Sequence, residues 1–328
     1  MLLIMKLLKN MKYLFQLPVF IMLFISCHTG QTDSVQVRFG ICTDVHKDIM
    51  HDADDRIGSF IEEASERDLD FIIQLGDFVR PYDYNLEFLS IWNSYPGESY
   101  HVIGNHEPDG GFSKEDVVEY LGMPDMYYSF NRNGFHFIVL DGNDLNPSPD
   151  RPPGYSRYIG EEQIEWLKNE ISTAEKNIII FSHQSLENEN GIENKRQIRH
   201  ILEEENRLAG FNKILACFSG HHHTDYAVNI NGIYYIQINS MSYNWVGGDY
   251  QMIRYSEEID EEYPWIRYTI PYKDPLYAFV EINNEAIIIE GRETTFVGPG
   301  PEELGMPGQP ENNPIVPRIS NRELQLAD

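Results

Sequence analysis

The chain has only three cysteines in 328 residues, Cys27, Cys42 and Cys217, too few for a disulfide framework. No two of them stand close together in the sequence, which excludes a structural zinc cage of paired thiolates. Basic residues are scarce as well: 25 Lys and Arg face 52 Asp and Glu, a formal net charge of −27. A nucleic-acid duplex, gripped through clustered cations that displace its counterions, is therefore not an expected partner. An anionic substrate must be held locally, for instance by metal ions. The uncharged stretch Tyr13–Ile25 runs for about thirteen residues, short of the ~20 that a membrane-spanning helix needs. No internal repeat is visible, and nothing points to a protein partner.

What is present begins with Lys6, Lys9 and Lys12 ahead of that apolar run, the pattern of an export signal over residues 1–26. The alternative is a retained anchor. The segment ends Phe24-Ile25-Ser26-Cys27, which resembles the lipobox of bacterial lipoproteins. That likeness implies a lipid on Cys27 and an exported protein tethered to a cell-envelope membrane, periplasmic or at the surface. Met11 is a second candidate start. Residues 27–34 form a polar linker, 35–296 the folded domain, and 297–328 a Gly- and Pro-rich tail expected to be loosely ordered. Cys42 and Cys217 sit in apolar runs, where a thiol packs as a small hydrophobe.

Within the domain, strands and helices alternate. Val35, Val37, Phe39 and Ile41 alternate into a strand that runs at Asp44. Ile57, Phe60, Ile61 and Ala64 share one helical face. Short apolar strands at 71–75, 101–103, 177–181 and 214–218 follow, with paired strands near 127–130 and 135–140. Ser113 and Asp116 have the spacing of a capping box for a helix through Leu121. A helix from Glu161 buries Ile164, Leu167 and Ile171, and another carries Ile198, Ile201 and Leu202. Hairpins are expected at Asn231-Gly232 and Asn283-Asn284. The pattern is that of an α/β fold.

Polar clusters fall at the strand ends: Asp44-x-His46, Gly76-Asp77, Gly104-Asn105-His106-Glu107, Ser182-His183 and Gly220-His221-His222-His223. Ligands of open α/β sheets collect beyond the carboxyl ends of strands, so one site built from five loops is the economical reading. Taken singly, Gly76-Asp77 is an ordinary turn and His183 an ordinary core histidine; it is the set, in this order, that is specific. Extended backbone would point Asp44 and His46 to one side, and likewise His221 and His223, with His222 turned away. Asp44, His46, Asp77, Asn105, His183, His221 and His223 are too many ligands for one ordinary cation. They suit two divalent ions (Mn, Fe or Zn) sharing a carboxylate, able to clamp a phosphoryl group.

With these five motifs intact, residues 36 to 290 resemble the calcineurin-like metallophosphoesterases. The resemblance implies a four-layer α-β-β-α sandwich of two mixed sheets flanked by helices. It assigns Asp44, His46, Asp77 and His223 to one metal and Asp77, Asn105, His183 and His221 to the other, with Asp77 as the bridge. It further implies hydrolysis of a small phosphorylated substrate, a phosphomonoester or phosphodiester, by a metal-bridging hydroxide with His106 as general acid. Cleavage of nucleotide-type diphosphates such as ADP-ribose, and a non-catalytic metal-binding lipoprotein, are the alternatives.

Arg80 stands where purple acid phosphatases have tyrosine, and His46 is present where they lack it, so a purple iron site is not implied. Segments 128–130, 135–141 and 160–167 are similar to those of class III cyclic-nucleotide phosphodiesterases and manganese-dependent ADP-ribose/CDP-alcohol diphosphatases. Among candidate substrate contacts, Tyr243 or Trp245 can stack on a base or pack within their own loop. Arg80 can fork to a second phosphate or bridge a neighbouring carboxylate.

Overall fold

The computed structural model describes residues 36–310 and 313–326. The expected export signal (1–26), Cys27 and the linker (27–34) lie outside the described residues. In chain order the first half contains β1 (Val37–Cys42), α1 (Ala53–Glu66), β2 (Phe71–Gln74), α2 (Leu86–Trp92), β3 (Glu98–His101), α3 (Lys114–Leu121), β4 (Tyr128–Arg132), β5 (Phe135–Leu140) and α4 (Glu161–Thr173). Then follow β6 (Asn177–Ser182), α5 (Lys195–Ala209), β7 (Ile214–Ser219), β8 (Tyr226–Ile230), β9 (Ile233–Gln237), β10 (Tyr243–Trp245), α6 (Glu257–Glu262), β11 (Thr269–Pro271), β12 (Ala278–Ile282), β13 (Ala286–Glu290) and β14 (Arg322–Gln325).

The strands form two mixed six-stranded sheets, β14-β13-β12-β1-β2-β3 and β4-β5-β6-β7-β9-β8, plus the small pair β10-β11. β1, β2 and β3 run parallel, as do β5, β6, β7 and β9. Alternation along the second sheet divides its two faces. Phe137, Val139, Ile179, Phe181 and Phe218 point into the core shared with the first sheet. Their neighbours Ile138, Leu140, Ile178, Ile180 and Cys217 pack instead on Ile164, Leu167, Ile198 and Leu202 of α4 and α5. Phe39 of β1 meets Phe137, Phe181 and Phe218 edge-on at 6.2, 5.7 and 5.8 Å, and each such buried ring stabilises the seam by ~1.5–3 kcal/mol. On the far side of the first sheet Phe60 of α1 lies against Gly40 and Trp92. The four layers are therefore α1/α2, sheet, sheet, α4/α5.

Local signals read from the sequence recur in the structure. Ser113 and Asp116 form the reciprocal capping box, and Gly122 ends α3 in the left-handed region. Asn231-Gly232 turns β8 into β9 with both residues at positive φ, as a two-residue hairpin requires. Two expectations are corrected. The strand placed at 101–103 is β3 at Glu98–His101; it is an edge strand, so its polar Glu98 and Ser99 carry no apolar signal. The segment from residue 297 is not a loose tail: β14 pairs with β13, and Asp225 accepts from Ser320 and Arg322. Asn239 Nδ2 adds bonds to the Val316 and Arg318 carbonyls at 2.7 and 3.0 Å. Paired backbone and a buried carboxylate do here what Gly and Pro content conceals.

Candidate metal centre

The loops that follow β1, β2, β3, β6 and β7 converge, each at the carboxyl end of a parallel strand. Backbone bonds lock the first two together, Asp44 N–H to the Gly76 carbonyl and His46 N–H to that of Asp77, both at 2.9 Å. The extended geometry expected for the ligand pairs is not what aims them. Asp44, His46, Asp77, His221 and His223 have φ of 51°, 53°, 51°, 67° and 49°. Among the described residues the other non-glycine positive φ values belong to the hairpin residues Asn133 and Asn231. Left-handed backbone costs on the order of 1–3 kcal/mol per such residue and persists where surroundings over-determine it. Gly104 and Gly220 permit the crowding: a Cβ at Gly104 would lie 2.8 Å from Glu107 Oε2, and one at Gly220 2.5 Å from Asp44 Oδ2.

Two groups of ligating atoms result, Asp44/His46/His223 and Asp77/His183/His221. His223 Nε2 is 3.1 Å from Asp44 Oδ1 and 3.3 Å from His46 Nε2, and His183 Nε2 is 3.2 Å from Asp77 Oδ2. Donor atoms around a cation with ~2.1 Å bonds stand roughly 3.0–3.4 Å apart. Asp77 Oδ2 is also 3.8 Å from His46 Nε2, so one oxygen faces both groups, the position of a bridge.

The remaining hydrogen bonds leave the correct atoms free. His183 Nδ1 donates to the Leu75 carbonyl at 2.8 Å and His223 Nδ1 to that of Tyr243 at 2.6 Å. A carbonyl only accepts, so both rings carry hydrogen on Nδ1 and turn Nε2 to the centre. Asp44 Oδ2 takes Thr43 Oγ1–H at 2.6 Å and His221 N–H at 3.0 Å; Asp77 Oδ1 takes His106 N–H at 2.8 Å. Asp44 Oδ1, Asn105 Oδ1 and His183 Nε2 are buried with no hydrogen-bond partner. Orphaned buried polar atoms are rare in native proteins, and these three converge with carboxylates and imidazoles. The donor set fits two divalent cations. His222 belongs to neither group; its Nε2 lies 3.0 Å from Ser185 Oγ.

Electrostatics agree. Burial opposes charge on Asp77, but the His183, His106 and His46 imidazoles outweigh it and hold the carboxyl well below its usual range. Burial also works against a proton on His183, yet the Asp77 and Asp44 carboxylates push it up to about 10. Burial carries His46 down to about 3 and His221 well below its ordinary value. Without cations the cluster therefore retains a proton on His183, a positive charge in the place of a stronger one.

His106 projects from the β3 loop with its side chain 30% exposed and Nε2 4.0 Å from Asp77 Oδ2. Its Nδ1 donates to Asp109 Oδ2 at 2.7 Å. Burial disfavours the imidazolium, and the Asp77 and Asp109 carboxylates more than reverse that, raising its pKa. Sequence reasoning missed Asp109, whose signal was an acid three residues beyond His106. It also missed the bracing after β9, where Ser240 Oγ and Ser242 Oγ each donate at 2.8 Å, to the Asp44 and Val45 carbonyls. Glu107, named only as part of its motif, accepts Phe78 N–H at 2.5 Å and Gly104 N–H at 2.8 Å, tying two loops; burial and Asp77 raise its pKa to about 7.

The candidate substrate contacts divide. Arg80 pairs with Asp109 at 3.0 Å. Tyr243 is buried, its ring stacked on His46 at 5.0 Å. Trp245 is 47% exposed. All three line a cavity of about 750 Å³ that also contains His46, Asp77, Asn105, His106, His221 and His223. No helix among the described residues is long and apolar enough to cross a membrane.

Comparison with known proteins places this geometry. A dimetal phosphatase from Danio rerio superposes with a TM-score of 0.58 at 14% identity, covering 80% of this chain and 99% of its own. A 5′-nucleotidase structure from Staphylococcus aureus (15% identity, TM-score 0.46) covers 84% of this chain and 56% of its own. TT1561 of Thermus thermophilus (13%, 0.44) covers 65% and 93%. At such identities the likeness concerns the fold alone. Comparison with curated protein sequences finds no match. The sequence profile of the calcineurin-like phosphoesterases matches residues 37–225, more than half of the chain and all five ligand loops. The protein belongs to the calcineurin-like phosphoesterase family, hydrolases of phosphoric esters.

Proposed function

We propose that this chain hydrolyses a small phosphomonoester or phosphodiester at a two-cation centre, with His106 delivering a proton to the leaving oxygen. The observation that carries the reading is the position of Asp77 Oδ2, 3.2 Å from one group of ligands and 3.8 Å from the other. Asp44, His46 and His223 would hold one cation and His183 and His221 the other, with Asp77 between them; Asn105 Oδ1, buried without a partner, would join the second set as the family resemblance implies. Bound there, the cations would polarise the phosphoryl oxygens and lower the pKa of a water nucleophile.

The protein's own groups supply the rest. Asp109 fixes hydrogen on Nδ1 of His106, so Nε2 is the nitrogen turned toward Asp77 and the ligand cluster. Asp77 and Asp109 raise the pKa of that imidazole, the direction that favours the protonated ring a general acid needs. Arg80 is already paired with Asp109, so it offers the diphosphate alternative no free guanidinium for a second phosphate. The similarity of 128–130, 135–141 and 160–167 to cyclic-nucleotide phosphodiesterases and ADP-ribose diphosphatases supports that branch of the family, but these segments are largely scaffold and say little about substrate. The N-terminal pattern supports export and a lipid anchor at Cys27, which Cys27→Ala tests by releasing the protein from membrane fractions.

The deciding experiment is turnover of an aryl phosphomonoester, an aryl phosphodiester, a cyclic nucleotide and ADP-ribose, with and without chelator. Chelator-sensitive cleavage is expected. A protein that binds two cations and cleaves none of them would overturn the esterase reading in favour of a binding role.

A further inference from the structure

Beyond the ligand loops, the same cavity opens onto an aromatic wall that the metal chemistry does not use. β10 leaves the centre at Tyr243, whose ring packs on His46 and His223. Trp245 is two residues further on the same strand face, ~6.6 Å away at ~3.3 Å per residue. Trp265, 53% exposed, lies 6.5 Å from it, and Tyr268 stacks beneath Trp245 at 5.7 Å with planes 23° apart. Trp245, Trp265 and Tyr155 are among the few large hydrophobic side chains left open to solvent. All three line the cavity together with Met306 and Ile315 from the C-terminal segment. A surface of a −27 protein that gathers open tryptophans beside its metal ligands, with no free cation among them, is made for an uncharged flat group.

We infer that this outer chamber binds a flat unsaturated ring on the alcohol side of the scissile ester. The inference rests on the hydrolase reading above and adds to it the class of substituent. The phosphoryl group reaches the ligand cluster while the ring lies on Trp245 and Trp265. Open ring faces favour offset stacking and give no hydrogen-bond readout, so the chamber takes a nucleobase or a simple aryl ring alike. A saturated chain of equal carbon count fills the space without the stacking.

The test uses the full chain supplied with Mn²⁺. Phenyl phosphate, adenosine monophosphate and hexyl phosphate are compared in turnover, and phenylphosphonate and hexylphosphonate, which cannot be hydrolysed, in equilibrium binding. The two ring-bearing substrates should show KM values about tenfold or more below that of the hexyl ester, the size of a stacking contact, with the phosphonates following the same order. Trp245→Ala with Trp265→Ala should collapse that preference in KM and in Kd. Preference for adenosine over phenyl would identify a nucleoside as the natural ring; equality would identify a plain aryl group. Hydrolysis with no ring preference, or a preference that survives the double substitution, overturns the chamber alone. Ring-selective phosphonate binding with no hydrolysis overturns the esterase reading and leaves the chamber standing.

Discussion

Asp109 accepts a 2.7 Å hydrogen bond from Nδ1 of His106, and the two side chains lie on one turn of loop beyond β3. A proton donor needs its acidic nitrogen facing the reaction and a pKa that does not fall with burial, and this contact orients the ring and adds to the rise that Asp77 also drives. We predict that Asp109→Asn lowers kcat by about tenfold to a hundredfold and moves the alkaline limb of the pH profile to lower pH, since one of the two carboxylates, with Asp77, that raise the His106 pKa is gone. An unshifted limb would show that the bond is structural only.

His106→Ala should retain both cations, because His106 belongs to neither ligand group. Its turnover should fall ~10²–10⁴-fold on esters with poor leaving groups and far less on aryl esters that need no proton. Equal losses on both substrates would refute the acid role.

Asp77→Ala should remove cation binding at both positions, since its one oxygen faces both groups. Metal analysis after dialysis, with activity measured alongside, checks this. Retention of one full equivalent would show that the carboxylate does not bridge.

Much of this centre was legible because its ligands fall at strand ends within short motifs, three of them with glycine directly before the ligand. The reason offered by alternation was nevertheless the wrong one: Asp44, His46, His221 and His223 are aimed by left-handed backbone, not by extended strands. Nothing in a single sequence reveals that conformation outside Asn-Gly turns. Asp109 escaped notice because an acid three residues beyond His106 looks in the sequence like any surface acid, and Ser240 because it reaches the Asp44 carbonyl across 196 positions, a pairing fixed only by folding. The segment after residue 297 was misread since its order comes from Asp225 and Asn239, distant in sequence, and not from its own propensities.

A Cβ at Gly220 would press on Asp44 Oδ2. Gly220→Ala is therefore predicted to weaken cation affinity by tenfold or more, on the order of 1–3 kcal/mol from displaced ligands, while leaving far-ultraviolet circular dichroism unchanged. Calorimetric titration with Mn²⁺ would expose an unaltered affinity.

Acid should destabilise the fold partly through His101. Its Nδ1 accepts from Gln74 Nε2 at 3.1 Å, so a proton there would oppose an N–H, and burial lowers its pKa to about 3. The folded value lies below the unfolded one, so the neutral ring contributes its full stability above pH ~6.5. Stability is then lost at about 1.4 kcal/mol per unit as pH falls toward 3, because only the unfolded chain takes up the proton. Denaturant unfolding of His101→Gln should show a shallower decline over that window; an identical slope would eliminate His101 as the cause.

Each ligand group draws on both sheets: Asp44 and His46 follow β1 while His223 lies beyond β7, and Asp77 follows β2 while His183 and His221 follow β6 and β7. Cations seated there would be rivets through the seam. His46 and His223 stand 177 positions apart, so such a rivet closes a loop as long as those spanned by large disulfides and restricts the unfolded chain in the same way. In a protein whose described cysteines are both unpaired, the cofactor that performs the chemistry would also fasten the two halves of the sandwich, and its loss would slacken the architecture as well as silence the enzyme.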